Sequence, residues 1–128
     1  MQVEELSSQY ASHSDEELAE IVNSSYDLAD AIVTGHPEMS QDAGFELFDR
    51  GWAKRYWKTV LSDVSGLEGT DKLQAWAVNA SIAGVANAII VTFGLPAVAF
   101  SGAVALAVIL LRAARSSGDA PPEPDAGV

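Results

Sequence analysis

The sequence predicts an all-α fold in which two amphipathic helices precede a hydrophobic two-helix hairpin of transmembrane character, with a disordered C-terminal tail. Three observations predict it. Apolar residues recur at helical spacing between about 17 and 34 and again between about 41 and 64. From Leu73 through Leu111 there is no charged residue. After Ser116 the chain mixes Pro121, Pro122 and Pro124 with Gly, Ser and acids, a composition with too little apolar surface to offset the entropy of ordering it.

Composition narrows the function classes. A chain of 128 residues, 48% of them hydrophobic, has room for one domain with an ordinary core. Cysteine is absent, which excludes disulfides, thiolate metal sites and cysteine nucleophiles. A net charge of −11, with 7 Lys and Arg against 18 Asp and Glu, argues against nucleic acid as a partner, because phosphate contacts need bases. The acid excess and the scarcity of Lys suit a salt-rich cytoplasm, and equally an Asp- and Ala-rich high-GC bacterial proteome. Residues Met1 to Leu6, with Glu4 and Glu5, have neither the basic nor the apolar region of a secretory signal, so membrane insertion is expected to use internal segments.

Taken in order, residues 1–66 read as an acidic helical N-terminal domain. Ser14-Asp15-Glu16-Glu17 matches a capping box and opens the first helix, whose face carries Leu18, Ile21, Val22, Ser25, Leu28, Ala29, Ile32 and Val33. Gly35, His36 and Pro37 end it. The second helix is expected from an N-cap at Ser40 to Gly66, with Phe45, Phe48, Trp52, Tyr56, Val60 and Val64 on one stripe and a weak point at Gly51. Charge changes sign along this helix. Residues 1–49 hold every acid up to Asp49 and no Lys or Arg, and then Arg50, Lys54, Arg55 and Lys58 arrive among Trp52, Tyr56 and Trp57. Amphipathic basic-aromatic stretches of this kind lie on anionic membrane surfaces, or else place their aromatics in a core and their bases in solvent.

Residues 67–72 read as a linker in which Thr70 caps the next helix, and 73–114 as the hydrophobic hairpin. It divides at Gly94-Leu95-Pro96, where Gly suits a helix end and Pro a helix start. The halves, 73–93 and 95–111, approach the ~20 apolar residues that a bilayer span needs. Lys72 before the first half and Arg112 and Arg115 after the second put both termini on the cytoplasmic side by the positive-inside rule. Small residues at four-residue spacing, Ala80, Gly84 and Ala88 in the first half and Ala99, Ala103 and Ala107 in the second, permit close helix–helix packing. Asn79 and Asn87 share a face that is expected to meet another helix or water at membrane depth. Residues 115–128 form the expected disordered tail.

Nothing in the sequence points to catalysis. His13 and His36 stand apart beside helix ends, and the sequons at Asn23-Ser24-Ser25 and Asn79-Ala80-Ser81 are short, common patterns. No phosphate loop, triad or metal spacing is present, so no catalytic residue, metal or cofactor is expected. The segment Trp76 to Leu111, with its Ala, Ile, Val and Gly composition and its Gly94-Leu95-Pro96 turn, resembles the hydrophobic hairpin of pore-forming colicins over under a third of the chain. The resemblance implies a segment that enters a bilayer.

The functional expectation is a non-enzymatic integral membrane protein that self-associates through the hairpin and presents its acidic domain to a protein partner. Such a protein is a structural component, for instance of a halophile's virion or vesicle. A pore-forming or membrane-perturbing effector is one alternative. The other is a soluble helical interaction module that buries the hairpin.

Overall fold

The acid-rich N-terminal stretch folds as three short helices, α1 (Gln2–Tyr10), α2 (Asp15–Asn23) and α3 (Tyr26–Gly35). They are followed by α4 (Arg50–Ser65), α5 (Thr70–Asn79), α6 (Ile82–Phe93), a 3₁₀ turn (Ala97–Ala99) and α7 (Phe100–Asp119). The computed structural model describes residues 2–35 and 50–119, and among the described residues there is no strand. The chain is all-α. The expected cap at Ser40 and the stripe residues Phe45 and Phe48 lie outside the described residues, as do His36, Pro37, Gly44 and the tail after Asp119.

Each helix start and stop has a local cause. α1 places Val3, Ser7 and Tyr10 inward at i, i+4, i+7, and Ser7 Oγ donates to the Val3 carbonyl at 2.8 Å, which lets a hydroxyl be buried. Ser14 caps α2 through the expected reciprocal pair: its Oγ accepts from the Glu17 amide at 3.1 Å and its own amide donates to Glu17 Oε1 at 2.9 Å. The helix expected to continue to residue 34 breaks instead at Ser24-Ser25. Ser24 Oγ donates to the Glu20 carbonyl at 2.9 Å and the Ser25 amide turns back to Val22 at 3.0 Å, so local serine bonding competes with the helical ladder. α3 leaves in a new direction.

α4 runs through Gly51 without a break; it buries Val60 of the expected stripe, half-buries Tyr56 and Val64, and adds Trp57 and Leu61 to the buried face. Gly69, with φ of 97°, precedes α5, and Thr70 is its first helical residue where the sequence suggested a cap. A single helix over 73–93 is expected, yet the chain bends by 120° between Asn79 and Ile82. Ala80 and Ser81 are both extended there, and Ser81 Oγ caps α6 by accepting from the Gly84 amide at 3.0 Å. At the far end of α6, Gly94 takes φ of 63° and closes a Schellman motif: Leu95 N–H donates to Ile90 O at 3.0 Å and Gly94 N–H to Val91 O at 3.3 Å. Pro96 then starts the 3₁₀ turn, so the last helix begins at Phe100, later than expected, and reaches Asp119, past the expected limit of 114.

α7 is the axis of the structure. It packs against α1, α2, α4, α5 and α6, while α3 lies on α6 and the 3₁₀ turn. Every residue from Gly102 to Leu111 is buried, as befits a helix that is apolar all round. Leu106, Leu110 and Leu111 meet Leu18, Leu28, Ile32, Leu61, Leu73 and Ile89 in one core cluster. Each of these fully buried side chains contributes about 1.5–3 kcal/mol by leaving water. Every acid whose side chain is described is exposed, so the shell turns its negative charge outward.

Candidate functional site

Two features stand out on this bundle, a charge-free face and an arginine clamp. The face follows from α6. With Val85, Ala86 and Ile89 turned inward, the helix presents Gly84, Asn87 and Val91 to solvent, three positions at i, i+3, i+7. Val78 at the end of α5 and Val98 in the 3₁₀ turn extend the same charge-free run, and Val78, Val91 and Val98 are 60%, 80% and 77% exposed. No Asp, Glu, Lys or Arg interrupts the segment from Leu73 to Leu111. Beyond it the surface is dominated by acids.

The small residues fall into two groups. Ala99, Ala103 and Ala107 are fully buried on α7, whereas Ala80 and Ala88 are half-buried and Gly84 is exposed. A Cβ placed on Gly84 would meet only Ser81 Oγ at 2.9 Å, so Gly84 serves no close contact with α7. The glycine that does so is Gly102. A Cβ there would come within 2.6 Å of Ser25 Cβ, 2.8 Å of Ser25 Oγ and 3.2 Å of Leu28 Cδ2, so the absence of a side chain is what lets α7 reach the α2–α3 corner. An isolated glycine inside an apolar helix was the available signal. Ser25 Oγ is buried without a hydrogen-bond partner beside a shallow depression lined by Tyr10, Ile21, Ser24, Val98 and Ser101.

Asn79 and Asn87 are both exposed, and Asn79 Nδ2 donates to the Ala75 carbonyl of its own helix at 3.2 Å. Of the basic-aromatic group, Trp57 is buried in the core, Tyr56 is half-buried beneath the Arg55 guanidinium at 5.8 Å, and Arg55 and Lys58 are exposed. The side chains of Arg50, Trp52 and Lys54 lie outside the described residues.

The clamp uses the two arginines that follow the apolar segment. Arg112 Nη1 meets Asp15 Oδ1 at 2.6 Å and Nη2 donates to the Ala11 carbonyl at 2.9 Å, joining the end of α1 to the start of α2. Arg115 Nε donates to the Ala77 carbonyl at 3.1 Å and Nη2 to the Ala80 carbonyl at 2.8 Å, at the bend between α5 and α6. Helix C-termini leave carbonyls unsatisfied and carry partial negative charge, so a guanidinium fork suits both places. Lys72, the third flanking base, is exposed.

Glu17 is held below its ordinary value, chiefly by the Ser14 amide that donates to it, which is a capping role. Among the described residues no three His, Cys, Asp or Glu side chains are grouped to hold a metal ion. Among the described residues the 3₁₀ turn and α7 together supply the one stretch, Ala97–Arg115 with mean hydropathy 2.1, that is by itself long and apolar enough to cross a membrane, and 72% of its most apolar window is buried inside the bundle. Comparison with protein-family models, with curated proteins and with solved structures gives no match.

Proposed function

We propose that this chain is a non-enzymatic helical interaction protein that keeps its apolar segment as the core of a bundle and docks through the charge-free face of α6. One observation carries the reading, the unbroken burial of residues Gly102 to Leu111 beneath five other helices. A helix built to face lipid leaves its apolar side chains outward, whereas here those of residues 102–111 point into the bundle and every acid whose side chain is described is exposed. The docking face is neutral on a molecule of net charge −11, so it is where a protein partner or a second copy approaches with least repulsion. Purification without detergent tests this. A monodisperse, helical species that leaves the membrane pellet on carbonate washing is the expected result, and retention in the pellet sinks the reading.

A second reading is favoured by the length and hydropathy of Ala97–Arg115. In it the shell opens and α7 enters the bilayer with both termini cytoplasmic, so that the chain is an integral membrane scaffold, self-associating through its small-residue faces, or a membrane-perturbing effector. Liposome leakage across a wide range of protein-to-lipid ratios separates these two. Sealed vesicles exclude the effector, and leakage that is lost in Asn79→Leu or Asn87→Leu while membrane association survives supports it.

A further inference from the structure

The geometry points to a two-residue hinge at Ala80-Ser81, held bent by Arg115, and therefore to a second arrangement of the chain in which residues 70–93 form one continuous helix. The inference concerns the hinge itself and stands under either functional reading.

The residue types at the bend do not explain it. Asn79-Ala80-Ser81-Ile82 contains neither Gly nor Pro, and Ala is the strongest helix former. Only Ala80 (φ −77°, ψ 146°) and Ser81 (φ −88°, ψ 155°) leave the helical region, and both φ values are already near helical. Rotation about two ψ angles joins α5 to α6.

That rotation is opposed by the packing of Leu73, Ala77, Val85, Ala86 and Ile89 in the core and by a set of hydrogen bonds at the bend itself. In a continuous helix the Ala77 carbonyl accepts from the amide of residue 81 and the Ala80 carbonyl from the amide of residue 84. In the bent chain both carbonyls accept from Arg115, at 3.1 and 2.8 Å, and the Gly84 amide donates to Ser81 Oγ at 3.0 Å. The Ala80 amide reaches the Ala77 carbonyl only at 3.4 Å. One guanidinium and one hydroxyl thus stand in for the helical partners of the same groups. For these three groups one partner replaces another, and the straight form in addition pairs the amides of residues 81 to 83 with the helical ladder, which gives the second arrangement bonds of its own to draw on. Arg115 is the positioning residue, since without it the bent form leaves the Ala80 carbonyl unpaired and the Ala77 carbonyl with only the long bond from the Ala80 amide, while the straight form does not use it. Together α5 and α6 are apolar and long enough to form a single span, and in apolar surroundings a continuous helix satisfies its own backbone.

The absence of cysteine gives a direct test. Spin labels attached to the exposed positions of a Lys72→Cys, Thr92→Cys chain are roughly 30 Å apart at the backbone in a continuous helix of 1.5 Å rise, and roughly 15 Å apart across the bend. In water the otherwise unaltered chain gives the short distance by continuous-wave and pulsed dipolar EPR. Arg115→Gln shifts the population to the long distance, while Arg112→Gln, which removes the Asp15 pair but leaves the hinge contacts, keeps it short. Ile82→Pro locks the bend, because residue 82 is the first position of α6, where proline is tolerated, and the extended Ser81 before it suits a following proline. Arg115→Gln combined with Ile82→Pro therefore returns to the short distance. A folded Arg115→Gln chain that keeps only the short distance overturns the inference, and so does an equal response to Arg112→Gln. Should Arg115→Gln fail to fold, dodecylmaltoside micelles serve in its place: the otherwise unaltered chain lengthens there and Ile82→Pro does not, and a short distance in both overturns the inference.

Discussion

Gly102→Ala is expected to destabilise the protein although it places the best helix former inside a helix. In an exposed helix interior the exchange gains about 1 kcal/mol. Here the new Cβ would lie 2.6 Å from Ser25 Cβ and 3.2 Å from Leu28 Cδ2, against the ~3.5–4.0 Å of an ordinary carbon contact. Ser25 Cβ is fixed to the backbone, so α7 and the α2–α3 corner must separate by about an ångström. Overpacking of a filled core costs about 1–3 kcal/mol. The net is therefore a loss of up to about 2 kcal/mol, or a Tm lowered by several degrees, given that 1 kcal/mol moves Tm by about 2–8 °C in domains bracketing this size. Circular dichroism through thermal and urea unfolding measures it. Ser25→Gly removes the clashing atom, so the double variant is expected to recover most of the loss, with a coupling of about 0.5–3 kcal/mol between the two sites. A Gly102→Ala chain that gains the full ~1 kcal/mol of an exposed helix site would refute the close contact and with it the burial of α7 in this packing.

Other perturbations separate the local causes. Leu106→Ala, at a side chain with no exposed surface in the middle of α7, is expected to cost about 2–5 kcal/mol in urea titrations, a large share of the total stability of a domain this small. Gly94→Ala forces a Cβ into a backbone with φ of 63° and is expected to cost about 1–2 kcal/mol, while Asn87→Ala on the exposed face of α6 stays within about 0.5 kcal/mol of the parent. Ser14→Ala removes the α2 cap and is expected to cost about 1 kcal/mol. Because Glu17 titrates below its ordinary value of 4.5 in the folded chain, its stabilisation is complete above that value and is lost as pH falls below it, and the difference in Tm between the parent and Glu17→Gln is expected to shrink over that acidic range.

Much of the local structure was legible because its causes are local. The Ser14 capping box and the glycine turn before Pro96 depend on neighbours a few residues away, and the sequence contains all of them. Helix lengths were less legible. The breaks at Ser24-Ser25 and at Ala80-Ser81 combine local serine bonding with contacts to Gly102 and Arg115, residues far along the chain that become neighbours only after folding. α1 carried a readable inward stripe, Val3, Leu6, Ser7 and Tyr10, but two adjacent serines lowered its apolar signal. Arg112 and Arg115 read as topology signals by their position after an apolar run, and no one-dimensional pattern distinguishes a base that faces headgroups from one that caps a helix folded back against it.

The apolar segment shows most clearly where a sequence pattern runs out of information. A charge-free stretch long enough for two spans looks too large for two amphipathic helices to cover, and that shortage is what argues for lipid. The structure meets the shortage by subdivision. Breaking the 14–34 segment yields α2 and α3, breaking 73–93 yields α5 and α6, and α1 adds a further face, so several short helices can stand around one axis where two long ones cannot. Only α7 then needs cover on every side. α6, though equally free of charge, presents a strip of Gly84, Asn87, Val91 and Thr92 to solvent. The same bend that makes this cover possible contains no glycine or proline and is capped by Ser81 and bound by Arg115, so the cover over α7 and the proposed straightening turn on the same two residues of backbone.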